Sequence, residues 1–457
     1  GTRSVRIAEG WHAPVGGILM AACGAFALTG FPLDDMWHRL FGQDVTLWGP
    51  THLMLIGGAG MSLVGMAVLL GAAKHDGGGS QFGALLRKAS LMGGLLIGLS
   101  TFQGEFDFGV PQFRMVFHPL LLAFAAAFAL TAARIWIGRG GAIYAALFYL
   151  LIRGIVSLFV GPIFGEVTPT VALYIPEAML VELAAVAFIR RPAAFAALSG
   201  VLVGTLGMAA EWGWTHVAFP LPWTTDILPE GLILAIVAGL AGATFGVLLG
   251  TGLKGELARP QVVRPAAAVA LLAIAACVAD GLVTKSPGNA TVAVNGKDVR
   301  ISPDIADGAA WATATAWQGK AKLHVEQLER VGPGHYRLAE ETPTKAPWKA
   351  MIRVQTGRQI LSSPIFLPED KAIPAKEIPV TTKPRPFVVD KEVLQREQKK
   401  GVASWLTTVA PLVVLLIALS FAAALAWGVA RIGRREDVRE PRPRASAPPS
   451  VATPLPS

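Results

Sequence analysis

Apolar runs of about 18 to 25 residues recur along most of the chain with short polar breaks between them, the length a helix needs to cross a bilayer. The pattern predicts ten spans, near 12–31, 52–73, 87–104, 115–135, 141–160, 170–189, 193–211, 230–252, 265–284 and 404–430. Residues 285–400 break the pattern. They are polar, rich in Thr, Pro and Lys, and alternate with period two in short runs. Thr291-Val292-Ala293-Val294 leads into Asn295-Gly296, a hairpin signal, and Met351-Ile352-Arg353-Val354 leads towards Thr356-Gly357. The expected architecture is therefore an all-α polytopic membrane bundle of about ten transmembrane helices with a small extracytoplasmic β-sandwich-like domain. Residues 1–284 form the nine-helix membrane domain and 285–403 the β-domain with a Pro-rich strap at 365–388. Residues 404–435 supply the C-terminal transmembrane helix, and 436–457 read as a disordered cytoplasmic tail.

Composition narrows the class. The 457 residues are 53% hydrophobic and only 16% charged, against roughly 25% charged in ordinary soluble domains. A single soluble fold, a disordered chain and a secreted disulfide scaffold are excluded. The net charge of +9 invites a nucleic-acid reading until the cations are placed. Arg3 and Arg6, then Lys74, Arg87 and Lys88, then Arg134 and Arg139 all fall in breaks on one side. Arg190, Arg191, Lys254, Arg259, Arg264, Arg431, Arg434 and Arg435 continue the series on that side. Cations of this kind mark cytoplasmic loops. The expectation is a multi-pass protein of a bacterial-type inner or plasma membrane, with both termini cytoplasmic, the β-domain outside, and no nucleic-acid partner. Met20-Ala21-Ala22-Cys23 loosely resembles a lipoprotein-like signal, but Met suits its position poorly.

Sorting by side leaves the outer loops acidic and rich in histidine. Asp34, Asp35, His38, Asp44 and His52 lie after the first span, and Glu105, Asp107 and His118 around the break between the third and fourth. Glu166, Glu211, His216, Asp226 and Glu230 follow in later outer breaks. Polar residues gather at any membrane interface, so a single loop of this kind is ordinary. The first loop is more specific. Asp34 and His38 are four apart, which puts them on one helical face, and His52 opens the next span where it can fold back towards them. Imidazole and carboxylate together suit copper, iron or zinc. Asp44 is placed to orient a ring N–H.

The stretch from Asp34 to His52 resembles the C subunit of the particulate methane and ammonia monooxygenases. That family carries an Asp-x-x-Trp-His element, a later Asp and a Pro-Ser/Thr-His element. Here these are Asp34, Trp37 and His38, then Asp44, then Pro50, Thr51 and His52. The resemblance implies a copper site on Asp34, His38 and His52, with Trp37, Asp44, Pro50 and Thr51 in supporting positions. It also implies other membrane subunits of a hetero-oligomer and an electron donor as partners. A second family element, Asn-Glu-Trp-Gly-His, is echoed in Ala210-Glu211-Trp212-Gly213-Trp214-Thr215-His216, with Ala in place of Asn and Trp in place of His.

Other residues stand apart from that match. Glu105, Asp107 and His118 read either as a second coordination sphere with a proton path, or as a polar loop capping the next helix. Arg153, Glu177 and Glu182 lie inside expected spans, where charges need partners; an ion pair of Arg153 with Glu177 or Glu182 is expected, with proton or ion conduction as the second reading. The β-domain holds His324 and His335 but no cysteine, which excludes a blue-copper centre. The leading expectation is a copper-binding membrane protein, a subunit of a copper-monooxygenase-like complex oxidising a small apolar substrate with dioxygen. The alternatives are a copper importer whose β-domain captures metal, and a non-catalytic accessory subunit.

Overall fold

The structure, a computed structural model, describes residues 4–9, 11–42, 46–72, 80–256, 260–282, 288–318, 322–370, 375–394, 401–406, 408–410, 412–414 and 416–417. After a hairpin of β1 (Ser4–Ala8) and β2 (Trp11–Pro14), the chain enters a helical bundle. Its elements are α1 (Val15–Phe41), α2 (Pro50–Ala72), α3 (Gln81–Ser100), the short turn α4 (Gly104–Asp107), α5 (Phe117–Ile137) and α6 (Gly141–Leu158). These are followed by α7 (Ile175–Phe188), α8 (Pro192–Leu202), α9 (Met208–Ala218), α10 (Leu228–Leu253) and α11 (Pro260–Leu282).

Seven helical stretches among the described residues are long and apolar enough to cross a membrane. They are Val15–Phe41, Pro50–Ala72, Gln81–Asp107, Phe117–Ile137, Gly141–Ile163, Pro192–Ala218 and Thr225–Leu253. The sixth expected span contains only the shorter α7, because residues 165–174 before it form no helix. The ninth contains α11, whose apolar part is Gln261–Cys277. Most of the tenth, like the 436–457 tail, lies outside the described residues.

Helices in lipid gain little from hydrophobic burial against one another, so close packing at small residues has to hold them. α1 and α2 meet on such a seam. A Cβ at Gly16 would sit 2.3 Å from Leu69 N, and one at Gly65 would sit 2.5 Å from Met20 N. The Ala-rich α5 forms the buried centre of the bundle, and α10 lies along it through Gly242, Gly246 and Gly250. At Gly246 the space a methyl would need is filled by the Thr131 hydroxyl and the Phe128 carbonyl.

The β region has two antiparallel five-stranded sheets. Its strands are β3 (Thr291–Asn295), β4 (Asp298–Ser302), β5 (Trp311–Gln318), β6 (Lys322–Gln327), β7 (Glu329–Gly332) and β8 (His335–Arg337). β9 (Lys349–Thr356), β10 (Gln359–Phe366), β11 (Arg385–Pro386) and β12 (Val388–Val389) complete it, before the short helix α12 (Asp390–Leu394). The orders are β12-β10-β9-β5-β6 and β11-β3-β4-β8-β7. Within the Pro-rich strap and just beyond it, β11 adds to one sheet and β12 to the other, so this segment ties the two together.

Alternation along β9 explains how this region meets the bundle. Ala350, Ile352 and Val354 face the core between the sheets, which leaves Met351, Arg353 and Gln355 on the other face. That second face is also buried. Arg353 donates to the Pro111 carbonyl (2.6 Å) and pairs bidentately with Asp390 (2.9 and 2.8 Å), and the Gln355 side chain accepts from Met115 N (2.7 Å). Arg358 and Arg114 both pair with Asp280, and Arg114 also forks onto Glu230. The β region is therefore seated on the helix ends around Pro111, Glu230 and Asp280.

Candidate metal centre

Asp34 and His38 lie on the last turns of α1, one helical turn apart, and His52 lies on the first turn of α2. Two local features bring them together. Gly42 adopts φ 92°, a left-handed conformation that terminates α1 with its N–H on the His38 carbonyl. Pro50 starts α2 where a missing N–H costs nothing. One His, Asp or Glu ligand atom from each of the three residues then lies within 4.8 Å of the other two, a grouping found once among the described residues.

The hydrogen bonds define which nitrogens are free. His38 Nδ1 lies 3.2 Å from the Gly42 carbonyl and His52 Nδ1 lies 3.1 Å from the Thr46 carbonyl. A carbonyl oxygen only accepts, so each ring carries a proton on Nδ1. Each Nε2 instead faces the Asp34 carboxylate, at 3.3 Å from Oδ2 for His38 and 3.3 Å from Oδ1 for His52. With neutral rings, lone pairs would oppose lone pairs. One metal ion shared by all three relieves that opposition. The Thr51 hydroxyl donates to Asp34 Oδ1 (2.7 Å) and fixes the carboxylate.

A further residue positions this frame from α4. Glu105 accepts through Oε1 from the Thr46 hydroxyl (2.6 Å) and Leu47 N (2.8 Å), and through Oε2 from Gln112 N (3.0 Å). Glu105 therefore holds the loop whose Thr46 carbonyl orients His52. Because Gln112 follows Pro111, the carbonyl gripped by Arg353, the β region sits at the same end of the bundle as this cluster.

The remaining candidates separate from the triad. Asp35 turns outward to Arg39 (2.8 Å), and Asp44 lies outside the described residues. His118 is buried, stacked on Phe106 with centroids 4.9 Å apart, and its Nδ1 accepts from the Trp223 indole (3.0 Å). Trp223 also lines an apolar cavity of about 260 Å³ with Met208, Trp212, Ile227 and Leu232. Glu211 is fully buried and receives the N–H groups of Leu173 and Tyr174 (2.8 and 3.0 Å). His216 is exposed and its Nδ1 is 2.8 Å from the Trp212 carbonyl. Five residues along a helix is a rotation of about 140°, so Glu211 and His216 point to different faces and do not form a metal pair.

The expected intramembrane ion pair is also corrected. Arg153 pairs with Asp107 (3.3 Å), and Glu182 pairs with Arg134 (2.7 Å) while accepting from Ala142 N (3.0 Å). Neither joins Glu177. In the β region His324 pairs with Glu326 and His335 with Asp298, each a local ion pair between neighbours on the sheets. Sequence reasoning missed Thr46, Gln103, Tyr149 and Tyr174, as well as the Arg353–Asp390 anchor. Of these, only Arg353 lay in a motif that had been singled out.

Comparison with family models, with curated proteins and with solved structures yields no significant match. The reading of the centre rests on its own chemistry.

Proposed function

We propose that this chain is a copper-binding integral membrane protein, a subunit of a copper-monooxygenase-like complex that oxidises a small apolar substrate with dioxygen. The observation that carries the reading is the arrangement of Asp34, His38 and His52: two imidazoles with Nδ1 committed to carbonyls and Nε2 turned onto one carboxylate. When bound, copper supplies the one-electron chemistry that dioxygen activation requires. Asp34 and the two rings hold it with three ligands, which leaves coordination positions open. Thr51, Gly42, Thr46 and Glu105 fix the ligands, and such outer partners tune affinity. A partner subunit or donor provides the electrons.

The membrane arrangement belongs to the same proposal: ten spans, both termini cytoplasmic, and the β region outside. The cations at Arg87, Lys88, Arg134, Arg139, Arg190, Arg191 and Lys254 lie at the bundle end opposite the β region, as this orientation requires.

Elemental analysis of the purified protein tests the site. Wild type is expected to retain copper, and His38→Ala or His52→Ala to lose it. Metal content unchanged in both variants sinks the assignment, and iron or zinc held by the same residues replaces copper. Copper uptake into proteoliposomes, blocked by the same substitutions, would favour the importer reading over a fixed site.

A further inference from the structure

Away from the triad, the bundle encloses a second set of acids. Glu177, in the first turn of α7, is fully buried, and neither of its carboxyl oxygens has a hydrogen-bond partner. Glu211 sits against the N-terminus of the same helix with Oε1 occupied and Oε2 unpartnered. Glu177 packs onto the helical stretch that carries Glu211 because Gly207, one turn before Glu211, has no side chain. A Cβ there would lie 2.9 Å from Glu177 Cγ. Val203–Gly207 is a π-helical turn, a local widening found often at functional sites. Tyr174, just before α7, takes φ 55°, the sole positive φ of a non-glycine residue among those described.

The surroundings are polar but short of cations. Tyr174 donates to Gln103 Oε1 (3.2 Å) and packs edge-on against Tyr149, with centroids 5.0 Å apart. The Tyr149 hydroxyl lies near Ser100 and the Gln103 amide near Asp107. Among the described residues the nearby cation, Arg153 of α6, is held by Asp107. Arg134 of α5 is held by Glu182, and α8 contributes no ionisable side chain. Two ionised glutamates here would be adjacent, buried and uncompensated. Like carboxylates in that position share a proton.

We infer that Glu177 and Glu211 form a proton-binding site within the membrane, holding one exchangeable proton between them. Glu211 already receives two backbone N–H groups, which favour its anion, so the proton resides chiefly on Glu177. Transfer breaks the Glu177 O–H bond and forms one on Glu211 Oε2, and the proton enters from and returns to bulk water. A metal ion fits less well. No third carboxylate or imidazole joins the pair at ligating distance among the described residues, whereas hard cations take six or more oxygens.

Infrared spectra of the full chain in lipid nanodiscs, recorded from mildly acidic to mildly alkaline pH, test this. The expected result is a protonated-carboxyl C=O band that shifts in D2O, fades as pH rises, and is absent in Glu177→Gln. Glu211→Gln should displace the titration of what remains. A band untouched by both variants overturns the inference. So does a wild-type band that never exchanges in D2O. A thermal midpoint raised by Na⁺ or Ca²⁺ in wild type but not in Glu177→Gln would assign the pair to a cation instead. If Glu177→Gln fails to fold, Glu211→Gln and the D2O exchange of wild type decide.

Discussion

Asp34 and Glu177 are acids near the same end of one bundle, yet their surroundings differ in kind. Asp34 is partly exposed and every neighbour that touches it is oriented: Thr51 donates to one oxygen, and both rings present Nε2 with Nδ1 tied back to the chain. Glu177 is fully buried, and no other described residue donates to it. A carboxylate with acceptors aimed at it suits a multivalent cation, and a rigid frame lowers the cost of ordering ligands. A carboxyl with neither donors nor a counter-ion is stable only when neutral or shared. On the two proposals, the same side-chain chemistry would serve a metal in one place and a proton in the other, by whether the backbone supplies orientation.

Removing a ligand should break the comparison most strongly. His38→Ala and His52→Ala each take one of three donors from Asp34, and copper should fall to background by mass spectrometry of the purified chain. In the same preparations Glu177→Gln should leave copper content unchanged. Loss of copper in Glu177→Gln without unfolding would mean that the two regions are one site. Next in size is the anchor between the β region and the bundle. Arg353 and Asp390 are both buried, and removing one partner of such a pair costs about 3–5 kcal/mol. Asp390→Ala should therefore expose the β region to limited proteolysis at temperatures where wild type resists.

A smaller effect is expected from Glu105. It touches no ligand, but it holds Thr46, whose carbonyl fixes the His52 tautomer. Glu105→Gln should weaken copper binding by about 10- to 100-fold, the range for outer partners. Competitive chelator titration would read that shift, with stoichiometry at saturation unchanged. A null result would show that the Thr46 loop is set by packing of Trp48 against Phe102 and Phe113 instead.

How far the sequence foretold these features follows from which interactions are periodic. The four-residue spacing of Asp34 and His38 is a helical-face statement, and Pro50-Thr51-His52 marks a helix start, so the triad was visible. The carbonyls of Gly42 and Thr46 that orient the rings are backbone groups, which residue identity does not encode. Arg153 was given the wrong partner because pairing depends on how far α6 slides against its neighbours, and apolar periodicity leaves that register open. In β9 the alternation of Arg353 with Ile352 and Val354 was legible, but alternation does not say what covers the second face. That face is covered by the helix ends, a tertiary contact with no local signature. The sixth span fell short because residues 165–174 form no helix, with Tyr174 N–H taken by Glu211 rather than by a preceding turn.

The smallest expected effect concerns Asp304 in the outlying β region, which is neither fully exposed nor sealed. Burial raises the Asp304 pKa, but hydrogen bonds from the Tyr336 hydroxyl and from the backbone N–H groups of Gly334 and Asp307 outweigh it. Asp304 is thereby held below the usual carboxylate range. A carboxyl depressed on folding stabilises the native state above its unfolded pKa and loses that contribution as pH falls through the folded value. Thermal midpoints of the β region should decline modestly below the ordinary Asp range. Asp304→Asn should lower the midpoint at neutral pH and flatten the acid decline. Glu177→Gln gives the contrast, because a group that shares a proton has no fixed anion to lose: its midpoint at neutral pH should match or exceed wild type. A steep acid decline retained in Asp304→Asn would move the β region's acid sensitivity to another pair, with Asp298 beside His335 the next to substitute.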